Sequence, residues 1–175
     1  EARAFHANFY RPDNAVLIVS GQFEPDAVLQ TVADAFGKIP RPDRPLPPEY
    51  TVEPVQDGER RVTVRRQGGS PLIAAMFHAP AAGSQDLIAL DMGVGILADT
   101  PSGRLYHKLV GGHLASEVFG FTAGLRQPGY AFFGAQLEPG MDQQKALETL
   151  NETLDSVAAQ PFTDKDLERI RNKWL

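Results

Sequence analysis

The stretch LASEVFGFTAGLRQPGYAFFGAQL, residues 114–137, decides how this chain folds. Leu114 to Ala123 and Tyr130 to Leu137 are rich in aromatic and β-branched residues, and Arg126-Gln-Pro-Gly129 between them has the composition of a turn. The pattern predicts a β-hairpin. A hairpin makes the sheet antiparallel, and such a sheet buries one face against other elements. Upstream, Leu72 to Ala79 reads as a more buried strand and Arg61 to Arg66 as a half-exposed one, with Val62 and Val64 alternating against Arg61, Thr63 and Arg65. Gly68-Gly69 turns between them. Ser84 or Asp86 caps a helix with the stripe Leu87, Leu90, Val94 and Leu97. Thr100-Pro101 has the form of an N-cap and first helical residue for a short helix that carries Leu105 and Leu109 and breaks at Gly111-Gly112.

Downstream, Asp142 to Ala159 is amphipathic, with Leu147, Leu150, Leu154 and Val157 on one stripe. Thr163 with Asp166 resembles a capping box, and Leu167, Ile170 and Trp174 continue a last helix. From residue 60 the order is therefore β-β-α-α-β-β-α-α. It predicts an α+β fold, an antiparallel sheet with helices packed on one face.

Residues 1–46 read as α-β-α. Phe5 and Phe9 share a helical face, Arg11 to Asn14 turns, and Ala15 to Val19 is expected to be a strand buried on both faces. Pro25 opens a helix with the stripe Val28, Leu29, Val32, Ala33 and Phe36, ended by Gly37. Six prolines fall between residues 40 and 58, which suits a semi-rigid linker. The expected organisation is a piece of one domain over 1–46, a linker over 47–59 and a second domain over 60–175, cut short at its C-terminus.

Of 175 residues, 42% are hydrophobic and 22% charged, the balance of a globular protein. A net charge of −5 argues against nucleic acid as a partner. The absence of cysteine removes disulfides, thiolate nucleophiles and Cys-ligated zinc, and fits either a reducing cytosol or a periplasm. No run approaches the ~20 apolar residues of a membrane span.

Four histidines, His6, His78, His107 and His113, are the natural place to look for metal. Neither H-x-x-E-H nor H-E-x-x-H occurs. On a strand, His113 and Glu117 would stand about 13 Å apart at ~3.3 Å per residue, too far for one ion. Gly93-Val-Gly-Ile-Leu-Ala98 matches G-x-G-x-x-A, but it lies inside a helical stripe rather than between a strand and a helix. Its small residues are expected to let the helix approach the sheet. G-x-S-x-G is absent. Arg104, Tyr106, His107 and Lys108 form a polar cluster, either a solvated helix face or a contact for peptide or a partner domain.

Four stretches in order resemble the insulinase-like (pitrilysin-type) zinc metallopeptidases: Phe9 to Gly21, Val28 to Pro40, Ser70 to Leu90, and Ser102 to Val110. Family members are built from halves of two similar α+β domains, and two halves close around an unfolded peptide. The resemblance implies a zinc site in a domain upstream of Glu1, with no catalytic residue and no metal ligand here. It also implies partner domains of the same chain or a partner subunit, an extended peptide as substrate, and, by resemblance alone, the periplasm. The family's arginine–tyrosine pair is not matched: Val110 and roughly Ser116 or Glu117 stand at those places. The chain is thus expected to be an inactive portion that forms chamber wall, positions peptide and packs between domains, or else part of a scaffold relative that has lost proteolysis. Arg61, Arg65, Arg104 and Tyr106 are the contact candidates, with Arg61 to Arg66 as an exposed edge. A small-molecule module built on the glycine-bearing helix is a third reading, tested by nucleotide binding.

Overall fold

The structure, a computed structural model, describes residues 1–48 and 54–175. The chain divides into two compact units, Glu1–Thr63 and Val64–Leu175. Part of the expected linker, residues 49–53, lies outside the described residues.

The second unit has the expected α+β class. Three strands, β1 (Leu72–Ala79), β2 (Glu117–Ala123) and β3 (Gly129–Gln136), form an antiparallel sheet in the order β1-β3-β2. The hairpin sets the register: Phe121 faces Phe132 and Glu117 faces Gln136, while Ile73 on β1 faces Ala135. Side chains alternate across the sheet. Ile73, Val118, Ala131, Phe133 and Ala135 point to one face and enter the core.

Helices α3 (Gln85–Ala98) and α4 (Gln143–Asp155) cover that face. Ser84 caps α3 by accepting from Asp86 N–H at 3.2 Å, and Asp142 caps α4 by accepting from Lys145 N–H at 3.0 Å. Helix α3 is apolar nearly all round because it is covered on two sides: Val94 faces the sheet, and α5 (Asp164–Trp174) packs on the opposite side. Leu105, Leu109, Leu137 and Leu150 are fully buried. Each contributes ~1.5–3 kcal/mol by area removed from water.

Three local expectations change. Thr100-Pro101 does not open a helix; a turn runs through to Gly103, and a π-helical turn follows at Tyr106–Val110. The first hairpin strand starts at Glu117, not Leu114, because Leu114 and Ala115 donate back to the carbonyl of Leu109. Arg61 to Arg66 pairs with no strand among the described residues, and Val62 is 83% exposed. An alternating pattern becomes a strand only where a neighbouring edge takes up its backbone groups.

The first unit holds α1 (Ala2–Phe9) and α2 (Pro25–Phe36). Among the described residues Ala15 to Val19 is not a buried strand: it pairs with no other segment, and Val16 and Ile18 are 88% and 83% exposed. Among the described residues of this unit only Arg11 is buried. Its guanidinium donates to both carboxylate oxygens of Asp13, at 2.8 and 2.6 Å, and to the carbonyls of Arg44 at 2.7 Å and Pro45 at 3.4 Å. These charge-assisted hydrogen bonds tie the turn at Pro12–Asn14 to the segment at Arg44 and Pro45.

Candidate functional site: the open face of the sheet

The second face of the sheet carries no helix of this unit. Leu72, Ala74, Met76 and His78 from β1, Tyr130, Phe132, Gly134 and Gln136 from β3, and Glu117, Phe119, Phe121 and Ala123 from β2 share it by alternation and register. Phe132 lies between Phe119 and Phe121, with ring centroids 5.9 and 5.3 Å away and near-parallel planes. Tyr130 meets Phe121 edge-on at 6.2 Å. Gly134 makes this possible, since a Cβ there would stand 2.5 Å from the Phe119 ring. Leu72, Met76 and Phe121 are all exposed. The result is an apolar platform with its formal charge, Glu117, at one corner. It can take up apolar side chains, with His78, Tyr130 and Glu117 toward its ends.

The sequence reading missed this platform as a site. Within each strand the alternation was visible, with Phe119 and Phe121 out of phase with buried Val118, and Tyr130 and Phe132 out of phase with buried Ala131, Phe133 and Ala135; that the two aromatic sets share one face follows from the register of the pair.

The four contact candidates do not come together there. Arg104 donates to the carbonyls of Gln160 at 2.6 Å and Pro161 at 3.0 Å and lies 5.1 Å from the centroid of the Phe162 ring. It clamps the connection between α4 and α5. Tyr106 is half-buried against the core, with its ring edge-on to His107. Arg61 is exposed and lies 3.5 Å from Glu59, and Arg65 is exposed on the extended segment before β1.

The glycine pattern of α3 also finds its use in packing, on a different side from the one expected. Additional Cβ atoms on Gly93 and Gly95 would lie 3.3 Å from the Phe162 and Trp174 rings, so these glycines seat aromatic residues flanking and ending α5. Gly120 of β2 lets the sheet approach α3: its Cβ would stand 2.7 Å from Ala98.

Zinc is the metal the resemblance implies. Among the described residues no three of His, Asp or Glu converge as a ligand group. His113 stands in a left-handed turn conformation (φ 57°) and Glu117 opens β2. These residues do not fit a zinc centre.

Residues 1–173 match the family described as peptidase M16 inactive domain, and the chain belongs to that family. It is 25% identical over 174 residues to the zinc protease PqqE of Helicobacter pylori, a match that covers 98% of this chain and 39% of that protein. The crystal structure of a protease from Helicobacter pylori superposes with a TM-score of 0.90 at 25% identity, covering 98% of this chain and 42% of that one. The inactive peptidase domain of a candidate zinc protease from Bordetella parapertussis is 63% identical, with a TM-score of 0.58 over 65% of this chain and 62% of its own. The chain therefore spans less than half the length of both Helicobacter proteins.

Proposed function

We propose that this inactive domain serves a zinc-dependent endopeptidase as wall of the substrate chamber, positioning extended peptide and packing against the other peptidase domains. The observation that carries the reading is the bare aromatic platform of Phe119, Phe121 and Phe132, because a contiguous apolar surface outside the core marks a binding surface. An extended chain presents alternate side chains to such a face with the sheet's own spacing. In this reading the zinc, its ligands and the general base belong to a domain upstream of Glu1, and partner domains come from the same chain or a second subunit. Residues 1–46 then complete the preceding domain, and residues 47–59 link it to the one that begins near residue 60. Arg61 and Arg65, both exposed, remain open to peptide or domain contact. The engagement of Arg104 and the half-burial of Tyr106 favour an internal role for those two. By resemblance the setting is the periplasm.

The test is Phe121→Ser together with Phe132→Ser in the full-length protease. The expected result is a KM for apolar peptides raised several-fold at unchanged zinc content. Unchanged KM and kcat would contradict a role in peptide positioning. The scaffold alternative predicts no peptidase activity in the full-length protein with or without these substitutions.

A further inference from the structure

Helix α5 is fastened unlike the rest of its unit. Only Ile170 of its residues is buried, while Leu167 and Trp174 are exposed at its surface. Its neighbour in the fold is α3, whose Gly95 receives Ile170 and Trp174. The remaining attachment is ionic. Asp99, buried just beyond α3, accepts from Lys173 Nζ at 2.6 Å and lies 3.3 Å from Arg169 Nε. That Arg169 nitrogen is buried without a well-aligned hydrogen bond, and the second arm of Arg169 reaches Asp166 on α5 itself at 3.1 Å. At the other end Arg104 holds the carbonyls of Gln160 and Pro161, which fixes the point from which α5 departs.

We propose that α5 is a strap: it opens and closes as one unit about the Arg104-held connection, with Asp99 as its catch, while the sheet and α3 stay folded. Opening bares the seats of Ile170 and Trp174 on α3 around Gly95. The physical ground is that an element with few buried apolar contacts opens at a lower free energy than the core. A catch made by one buried carboxylate is broken by removing its charge.

Hydrogen exchange on the whole chain tests this, read together with fluorescence of Trp174, the single tryptophan. The amides of residues 167–174 should exchange at least about tenfold faster than those of β3, as a separate class. Asp99→Asn should speed α5 exchange by a further factor of about ten and shift Trp174 emission to the red, with β3 rates unchanged. Lys173→Met, at a position whose head group is largely exposed, serves as the second variant where Asp99→Asn lowers the stability of the whole unit. It should act in the same direction to a smaller extent. Exchange of α5 and β3 in one class, equal acceleration of both in the variants, or α5 rates unmoved by either substitution would overturn the proposal.

Discussion

Gly120 and Gly134 occupy neighbouring strands but opposite faces of the sheet, and their replacement separates the two faces experimentally. A side chain at Gly120 drives into Ala98 and Val94, both fixed on α3. Gly120→Val is therefore an overpacking change, expected to cost ~1–3 kcal/mol, read as a lowered urea midpoint. A methyl at Gly134 meets the outer atoms of the Phe119 ring, which can swing toward solvent. Gly134→Ala should cost less than Gly120→Val while altering the aromatic near-ultraviolet signal of the platform. In the first unit, Arg11 holds the Asp13 carboxyl below the usual carboxylate range, chiefly through their hydrogen bonds. Arg11→Met should make residues 1–48 more open to limited proteolysis and leave β3 protected. An unchanged cleavage pattern would deny Arg11 its organising role.

The capping box at the start of α5 gives a prediction for a whole element. Thr163 N–H donates to Asp166 at 3.0 Å and Asp166 N–H to the Thr163 hydroxyl at 3.3 Å. Thr163→Ala should cost about 1 kcal/mol, seen as a lower Tm. The Asp166 carboxyl is held below its ordinary value of 3.8, first by the backbone bond from Thr163, then by its hydroxyl and by Arg169. A depressed carboxyl stabilises fully above its unfolded value. This contribution is present at neutral pH and lost as pH falls from 3.8 through the lower folded value; Asp166→Asn should flatten that part of the acid unfolding curve. The box was legible in sequence because it spans four residues, and the cap of α3 was narrowed to Ser84 or Asp86 for the same reason; the hairpin was legible from a turn composition between two strand-like runs. The strands expected at Ala15–Val19 and Arg61–Arg66 were not settled by pattern, since a strand exists only through a neighbour that local sequence does not name. Arg104 carries the same lesson. Its partners are 56 and 57 residues away, so a clamp on a distant loop had the local signature of a surface cluster.

At the scale of the molecule, two units differ in what holds them. The second has a core of helices on one sheet face. The first is organised around a buried arginine, with its apolar residues largely at the surface. Family membership is shown for residues 1–173, and the aromatic platform is the feature on which the proposed role in the substrate chamber rests. In the described residues no helix is long and apolar enough to cross a membrane. The α+β class was legible in the order of strand and helix patterns after residue 60, and the family in four ordered segments. The platform required the register between β2 and β3, which only the folded sheet displays. The most direct test is zinc content and peptide cleavage of this chain alone, beside the same chain extended upstream by a full domain. The account predicts a metal-free, inert short form and a long form that binds zinc and cuts peptide. Stoichiometric zinc and cleavage in the short form would contradict it.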